Sequence, residues 1–268
     1  MIKPQVWLIG GTCESAELAK ALEAQGLPYV VTVTTSNASA LYPSSAVVCV
    51  GAMTSADIKN FIQQRHVQCI LDASHPFACE ISRQAMAIAS DSAKADSLQP
   101  TYIRYERSAI EDRFAADQPD RNVITVDSFE TLLSSNLLQH QRVLFTLGYR
   151  HLSRFTDCRR TSKLFARVLP SVEAIAGAQA AGFSPTEIIA LRPPISAALE
   201  TALCQQWEIS CVVAKASGSP GGEATKRQVA KSLDINLILI KRPPITYSNQ
   251  TGSMDKAIDF CAKTLSLY

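Results

Sequence analysis

The sequence lacks the long apolar run and the excess of one charge that mark membrane proteins and nucleic-acid-binding proteins. No apolar run approaches the roughly 18 residues needed to span a bilayer, and residues 1–5 lack the pattern of a signal peptide. The 26 Lys and Arg residues nearly balance the 24 Asp and Glu residues, which leaves a net charge of +2. Such a balance does not produce the general positive field that holds nucleic acid. We therefore expect a cytoplasmic protein with neither a membrane nor a nucleic acid as partner.

The eight cysteines also lack a pattern. None of them forms a CxxC pair, and they are scattered along the chain. Zinc ligands usually come in close pairs, so the spacing favours reduced, buried thiols in a cytosolic protein and no metal site. The chain has 268 residues, of which 47% are hydrophobic, and it can bury a sizeable core as one large domain or as two small ones.

Strand-like and helix-like segments alternate along the chain. Apolar or β-branched runs predict strands at 6–9, 29–34, 46–50, 69–71, 101–104, 123–126, 143–147, 187–190, 211–214 and 237–240. The spacing of apolar residues predicts helices at 15–25, 56–64, 76–90, 128–138, 171–181, 195–207, 223–233 and 254–265. This alternation is typical of an α/β fold with mainly parallel sheets covered on both faces. Because 106–121 is a polar stretch suited to a linker, we predict two domains, 1–112 and 113–268.

A glycine turn, Gly10-Gly11-Thr12, follows the first predicted strand and leads into the first helix. Glycines let the backbone approach a phosphate closely, and a helix start offers free N–H donors. The complete GxGxxG pattern is absent, because Ser15 stands where its third glycine would be. A nucleotide-binding loop and an ordinary tight turn in which Thr12 caps the helix are both open interpretations.

The second predicted strand ends in hydroxyl groups, at Thr34, Thr35 and Ser36, with no acidic residue beside them. In dinucleotide-binding folds, an acidic residue at this place favours the free 2′-hydroxyl of NAD. A loop of hydroxyls tolerates a 2′-phosphate instead. The pattern therefore favours NADPH, with NADH still open, and an ordinary polar loop is the alternative.

A run of polar side chains, 72–78 (DASHPFA), joins the fourth predicted strand to a helix. Pro76 suits the first position of a helix. That position predicts that His75 lies at the cap and points into the crevice at the carboxyl end of the sheet. Asp72, Ser74 and His75 are too close together in the sequence to adopt the geometry of a hydrolase triad. The alternative is a satisfied cap in which Asp72 bonds to loop amides.

Basic residues follow several of the later strands. Arg104 and Arg107 occur together with two tyrosines in the segment 102–107 (YIRYER), which would suit a large, flat, anionic ligand. In the second half, Lys215 begins a loop of glycines and hydroxyls that leads into a helix, as in anion-binding loops. A solvated strand end with salt bridges and a flexible crossover loop are the respective alternatives.

Taken in order, these segments resemble the signature segments of the precorrin-6A reductase family, which includes the cobalt-precorrin-6A reductases. The resemblance extends over almost the whole chain, from Trp7 to about Pro243, and its most specific part is 72–78. The family often has threonine where Ser74 stands, an exchange that keeps the hydroxyl. The segments that carry the resemblance are Gly10-Gly11-Thr12, 72–78, 102–107, Arg192-Pro193-Pro194 and Lys215-Ala216-Ser217-Gly218.

The resemblance implies two Rossmann-like domains with a cleft between them, the first binding the cofactor and the second completing the substrate cleft. It also implies an NADPH-dependent reduction of the macrocycle of precorrin-6A, or of its cobalt complex, to the precorrin-6B form. The partner would be a tetrapyrrole substrate, and neighbouring corrin-pathway enzymes are further candidates.

We hypothesise roles for individual residues that fit such a reaction. His75 and Ser74 are the candidate catalytic residues, with His75 as proton donor because its ordinary pKa of about 6.5 suits that task. The candidate cofactor-binding residues are Gly10, Gly11, Thr12, Glu14, Thr34, Thr35, Ser36, Asp72 and Phe77. The candidate substrate-binding residues are Arg104, Arg107, Arg150, Arg192, Lys215, Ser217, Gly218 and Lys226.

Other classes of protein stay open at this point. A non-catalytic carrier of a nucleotide or a tetrapyrrole would keep these loops but would not oxidise a cofactor. A short-chain dehydrogenase would need a YxxxK pair, and Tyr102, Tyr105 and Tyr149 have no lysine four residues on. A glycosyltransferase-like fold with two domains is compatible with the architecture alone.

Overall fold

The computed structural model describes residues 4–90, 99–106, 121–218 and 221–267, and its chain divides into two compact units. The first unit combines Met1–Ser108 with Pro244–Tyr268, and the second is Ala109–Pro243. This division differs from the predicted domains, 1–112 and 113–268, because the last stretch returns to the first unit, where it adds a strand and a helix. Most of the predicted linker lies outside the described residues.

Strands and helices alternate as the sequence predicts. The strands are β1 (Gln5–Ile9), β2 (Tyr29–Val33), β3 (Val47–Val50), β4 (Val67–Asp72), β5 (Thr101–Tyr105), β6 (Val123–Val126), β7 (Arg142–Phe145), β8 (Lys163–Val168), β9 (Ile188–Ala190), β10 (Cys211–Lys215), β11 (Asn236–Ile240) and β12 (Gln250–Thr251). The α-helices are α1 (Cys13–Ala24), α2 (Ser36–Ser39), α3 (Ser55–Gln64), α4 (Cys79–Ala89), α5 (Phe129–Leu133), α6 (Val172–Ala180), α7 (Ala197–Gln206), α8 (Glu223–Leu233) and α9 (Met254–Leu265). Short 3-10 segments lie at Tyr149–Arg160 and Pro185–Glu187.

The first unit is a six-stranded parallel sheet in the order β12-β5-β4-β1-β2-β3. Strands β1 and β4 are almost continuously buried, because helices cover both faces of the sheet. On one face, Leu18 of α1 and Cys261 of α9 belong to the same core cluster as Leu8. On the other face, Ile58 of α3 clusters with Trp7. The carboxyl ends of β1, β2, β4 and β5 therefore lie along one edge, where their loops can form a site.

The second unit is also a six-stranded parallel sheet, in the order β6-β11-β10-β7-β8-β9. Leu203 of α7 and Val229 of α8 pack against Val212 of β10 on one face. The rings of Phe145 on β7 and Phe155 on the 3-10 segment lie 4.5 Å apart. These two sheets confirm the predicted α/β class with mainly parallel strands.

Two predicted helices differ from the structure, and one strand was missed. The helix predicted at 76–90 begins only at Cys79, since Ala78 is its N-cap and the backbone before it forms a turn closed by Ala78 N–H and the carbonyl of His75, 2.7 Å apart. The helix predicted at 128–138 ends at Leu133. Strand β8 (Lys163–Val168) was not predicted, because Arg167 interrupts its apolar run.

In the described part of the chain, no helix has the length and apolar character needed to cross a membrane. Those residues also contain no group of three His, Cys, Asp or Glu side chains that could bind a metal ion. The cysteines form no disulfide. They are less buried than expected: Cys13 is exposed, and Cys49, Cys79 and Cys158 are half-buried.

Candidate functional site

The glycine turn lies at the carboxyl edge of the first sheet, between β1 and α1. Gly11 has φ of +102°, a backbone conformation that side chains rarely adopt, and no atom lies within 4 Å of a Cβ placed on it. Gly10 differs, because a Cβ there would lie 2.1 Å from the hydroxyl oxygen of Tyr42. The side of Gly11 on which a Cβ would lie, its outer side, is thus open to the close approach of a ligand. The corresponding space at Gly10 is filled by Tyr42.

Thr12 is the N-cap of α1, which confirms the capping interpretation. Its hydroxyl accepts from the amide of Ser15 at 3.0 Å and donates to the carbonyl of Ala73 at 3.0 Å. The second bond ties the loop after β1 to the loop after β4. Glu14 lies half-buried in the first turn of α1, where a helix has amides without intrahelical partners. The open backbone at Gly11 and these amides fit a phosphate-bearing cofactor, although binding by these residues stays a prediction.

Tyr42 contacts this turn, although sequence analysis did not select it. Its hydroxyl accepts a hydrogen bond from the amide of Gly11 at 2.7 Å and lies 2.6 Å from the hydroxyl of Ser15. Burial raises the pKa of Tyr42, against the lowering effect of its bonds with Ser15 and Gly11. No local pattern signals this contact, because α1, β2 and α2 lie between Gly11 and Tyr42 in the sequence.

Asp72 ends β4 as a fully buried carboxylate. Its Oδ1 accepts from the amide of Ser74 at 3.0 Å and from Nη1 of Arg104 at 2.9 Å. Its Oδ2 accepts from the hydroxyls of Ser82 at 2.6 Å and Tyr102 at 2.7 Å. Burial, followed by the charge of Asp72, raises the pKa of Tyr102 and keeps its proton in place. The interpretation of Asp72 as a residue that bonds loop amides is confirmed, and its predicted cofactor contact does not fit this burial.

Arg104 is the cation of the same network, and the structure corrects its predicted role. Its Nε and Nη2 donate to Glu106 at 3.0 and 2.9 Å, and its Cζ lies 5.3 Å from the ring centre of Tyr247. Burial lowers the pKa of Arg104, but the charges of Asp72 and Glu106 outweigh it and raise the pKa above its ordinary value. With 1% of its side chain exposed, Arg104 is covered and cannot contact a substrate carboxylate directly. The companion prediction, Arg107, lies outside the described residues.

Ser74 and His75 follow Asp72, and their surroundings differ. Ser74 is buried, and its hydroxyl accepts from Nη1 of Arg104 at 3.1 Å. His75 is exposed at the edge of the sheet, and its Nδ1 accepts from the amide of Phe77 at 3.2 Å. The rings of His75 and Phe77 lie 5.8 Å apart. His75 thus has the exposure that proton transfer requires, whereas Ser74 is placed to support the loop.

The hydroxyls at the end of β2 lie at the same edge. Thr34 and Ser36 are exposed, and Thr35 is the half-buried N-cap of α2. No carboxylate stands among them. None of these three residues would repel an adenosine 2′-phosphate, and the contact itself stays a prediction.

In the second unit, the loop after β10 is held mainly by its own backbone and side chains. The hydroxyl of Ser217 donates to the carbonyl of Lys215 at 3.3 Å, and the amide of Gly218 donates to Glu223 at 3.2 Å. Burial, followed by the charge of Arg150, lowers the pKa of Lys215 to about 8. Half-buried and protonated near neutral pH, Lys215 suits an anionic ligand.

Lys226 of α8 does not fit its predicted contact with substrate. It is buried, and its Nζ donates to the carbonyls of Gly221 at 2.6 Å and Gly222 at 3.4 Å. Burial, followed by the charge of Arg167, lowers its pKa to about 8. The ammonium group therefore fastens the loop to the helix from inside.

Two further predicted cations are exposed, and a histidine joins them. Arg192 follows β9 and is exposed, as is Arg150, whose Nη2 lies 3.9 Å from the carboxylate of Glu173. His151 stacks on Phe129 with ring centres 4.5 Å apart. Burial, then the charges of Lys215 and other cations, lowers the pKa of His151 to about 4. The sequence did not single out His151, whose pKa is lowered by the nearby charges of Lys215, Arg154 and Arg150 after burial.

Comparison with known proteins finds one family along the whole chain. The family model described as precorrin-6x reductase CbiJ/CobK matches residues 5–262. A cobalt-precorrin-6A reductase of Synechocystis is 43% identical, with 97% of each chain covered, and that of Priestia megaterium is 30% identical, with 94% of this chain and 96% of the relative covered. A solved structure of CobK precorrin-6A reductase has a TM-score of 0.75 at 22% identity, covering 98% of this chain and 97% of that one. At that identity, the structural likeness concerns the fold.

Proposed function

The chain belongs to the precorrin-6x reductase family, and we propose that it transfers a hydride from NADPH to the macrocycle of cobalt-precorrin-6A. The family makes it an oxidoreductase of cobalamin biosynthesis. The match along nearly the full length carries the proposal, and the names of the relatives at 43% and 30% identity favour the cobalt complex over metal-free precorrin-6A. The product would be the corresponding precorrin-6B form.

The open side of Gly11 and the first turn of α1 support binding of the cofactor's diphosphate by the first unit. The exposed hydroxyls of Thr34 and Ser36 support NADPH over NADH, because no carboxylate there would repel a 2′-phosphate. When bound, NADPH supplies the hydride, and the macrocycle takes up that hydride at an electrophilic carbon together with one proton.

The substrate's carboxylates need cations, and the second unit offers Lys215, Arg150 and Arg192. Arg150 and Arg192 are exposed, and Lys215 is half-buried with a pKa that keeps it mostly protonated at neutral pH. His75 is the proposed source of the proton, since it is exposed beside the buried Asp72 network that holds its loop. Water is the alternative donor.

The first experiment offers purified protein NADPH or NADH together with cobalt-precorrin-6A or precorrin-6A, and follows cofactor oxidation by absorbance. We expect rapid oxidation of NADPH with cobalt-precorrin-6A. Oxidation only with precorrin-6A would correct the substrate. No oxidation by protein that binds NADPH would favour a carrier of nucleotide or tetrapyrrole.

The proton donor is tested by replacing His75 with glutamine. General acid catalysis contributes about 10²- to 10⁴-fold, so turnover should fall within that range while the dissociation constant for NADPH stays the same. Full turnover in the variant would leave water as the donor.

A further inference from the structure

The hydroxyl of Tyr42 lies directly beneath the glycine turn, although Tyr42 is distant in sequence. It is 2.7 Å from the amide nitrogen of Gly11 and 2.6 Å from Oγ of Ser15. Tyr42 is 8% exposed and belongs to the core between α1 and the sheet. Gly10 permits this position, because any Cβ there would collide with the hydroxyl.

Counting protons gives the direction of each hydrogen bond. Ser15 has one hydroxyl proton, and it donates that proton to the carbonyl of Thr12 at 2.7 Å. Tyr42 must therefore donate to Ser15, and it accepts from Gly11. Ser15 also accepts from the amide of Thr12 at 3.0 Å. The result is a closed chain of bonds that starts and ends on the glycine turn, with each polar atom satisfied.

This chain of bonds changes the expected use of the turn. In a GxGxxG loop the third glycine lets the helix pack closely on the strand, but here Ser15 fills that position and is fully buried. The amides of Gly11 and Thr12 are committed inward. Among the first-turn amides of α1, those of Cys13 and Glu14 have no intrahelical partner by their position. They come shortly after Gly11 in the chain, where no atom lies within 4 Å of a Cβ placed on Gly11.

We propose that Tyr42 is a positioning residue for the cofactor's diphosphate: its hydroxyl, through Ser15, fixes the Gly11–Thr12 backbone so that the amides of Cys13 and Glu14 face the phosphates. The inference rests on the proposed binding of NADPH in the first unit. Preorganisation of this kind increases affinity because the turn does not have to be ordered when the ligand binds.

The test replaces Tyr42 with phenylalanine, which removes one hydroxyl and keeps the packed ring. Equilibrium binding by calorimetry is measured for NADPH, for 2′-phospho-ADP-ribose, and for adenosine 2′-monophosphate, which lacks the diphosphate. We expect about three- to ten-fold weaker binding of the first two ligands, the range of one net hydrogen bond, and unchanged binding of the third. Tyr29→Phe is the matched control, because the hydroxyl of Tyr29 is buried without a hydrogen-bond partner in the part of the chain that the structure describes.

Equal or tighter binding of NADPH by the Tyr42 variant would overturn the proposal, since the hydroxyl would then be idle or would compete with a phosphate for the Gly11 amide. An equal loss for all three ligands would also overturn it, because it would mean a general loss of structure. If the parent protein binds none of the dinucleotides, the proposed cofactor itself is wrong, and the role of Tyr42 falls with it.

Discussion

The fully buried Asp72 is the residue on which the loop after β4 depends. A buried carboxylate is costly unless it is paired and hydrogen-bonded, and Asp72 accepts four hydrogen bonds, one of them from Arg104. Two of the donors, the amide of Ser74 and the hydroxyl of Ser82, belong to the loop and to α4. The network therefore fixes the backbone that carries His75.

Replacing Asp72 with asparagine should lower the free energy of unfolding by about 3–5 kcal/mol, the usual cost of breaking a buried pair on one side. The amide keeps the shape of the carboxylate, but it leaves Arg104 with only the charge of Glu106 and turns an NH₂ group toward hydroxyl donors. Urea unfolding measures the change. Asp127→Asn is the control, since Asp127 pairs with Lys241 at 2.8 Å in a solvent-exposed position and should cost less than about 1 kcal/mol. Equal losses in both variants would contradict the assigned role of Asp72.

His151 gives a prediction about pH. Its pKa of about 4 lies below the ordinary value near 6.5, so between these values the unfolded chain binds more protons than the folded chain. Stability from this group is then fully present above about pH 6.5 and is lost as the pH falls toward about 4. His151→Phe keeps the stacking on Phe129 and should flatten this part of a plot of unfolding free energy against pH. The same slope in the variant and the parent would show that another group is responsible.

Local and distant contacts explain which site residues were predictable. The cap by Thr12 and the bonds from Asp72 to its own loop are local, and the sequence predicted both as alternatives. The burial of Arg104 and Lys226 and the contact of Tyr42 with Gly11 depend on elements far apart in the chain. A motif shows that a cation follows a strand, but only packing decides whether it faces solvent or a carboxylate.

At the scale of helices and strands, periodicity predicted the class of almost every element, and α8 and α9 even to the residue. The failures occurred where side-chain pattern and backbone geometry disagree. Pro76 suits a helix start, yet the helix begins one turn later, at Cys79. Strand β8 carries Arg167, whose ion pair with the buried Glu200 lets a charged residue lie within a sheet.

The ammonium group of Lys226 is one of the contacts that hold the loop between β10 and α8, so Lys226→Met should loosen the loop near Gly221. Methionine fills the space but leaves the carbonyl of Gly221 without the ammonium donor, whereas the carbonyl of Gly222 still accepts from the backbone amide of residue 226. The hydrogen exchange of the Gly221 amide should rise about ten-fold, while the melting temperature changes little, because a buried charge is removed as well. Lys231→Met, an exposed change on the same helix, should leave the loop as it is. Unchanged exchange in the Lys226 variant would mean that the loop is held by other contacts.

At the scale of the whole molecule, the chain returns to its first unit after completing the second. The returning stretch adds β12 beside β5, where the amide of Arg104 donates to the carbonyl of Asn249 at 2.9 Å. Its helix α9 buries Ile258 and Cys261 in the core that also holds Leu8. The sequence predicted α9 but included it in the second domain, 113–268, because an amphipathic helix can pack on any apolar sheet face.

A chain that ends at Pro243 should therefore lose the fold of the first unit and keep that of the second. Removing α9 exposes apolar core, and removing β12 leaves the backbone of β5 without partners on one side. Thermal unfolding should show a single transition with a smaller enthalpy. The backbone NMR signals of β1 and β4 should move to random-coil chemical shifts. The complementary chain, residues 4–106 joined to 244–267, should fold alone if the linker has about a dozen residues, the length that a crossover between parallel strands requires. If the truncated chain instead unfolds like the parent, the returning stretch is an accessory to a first unit that is already complete without it.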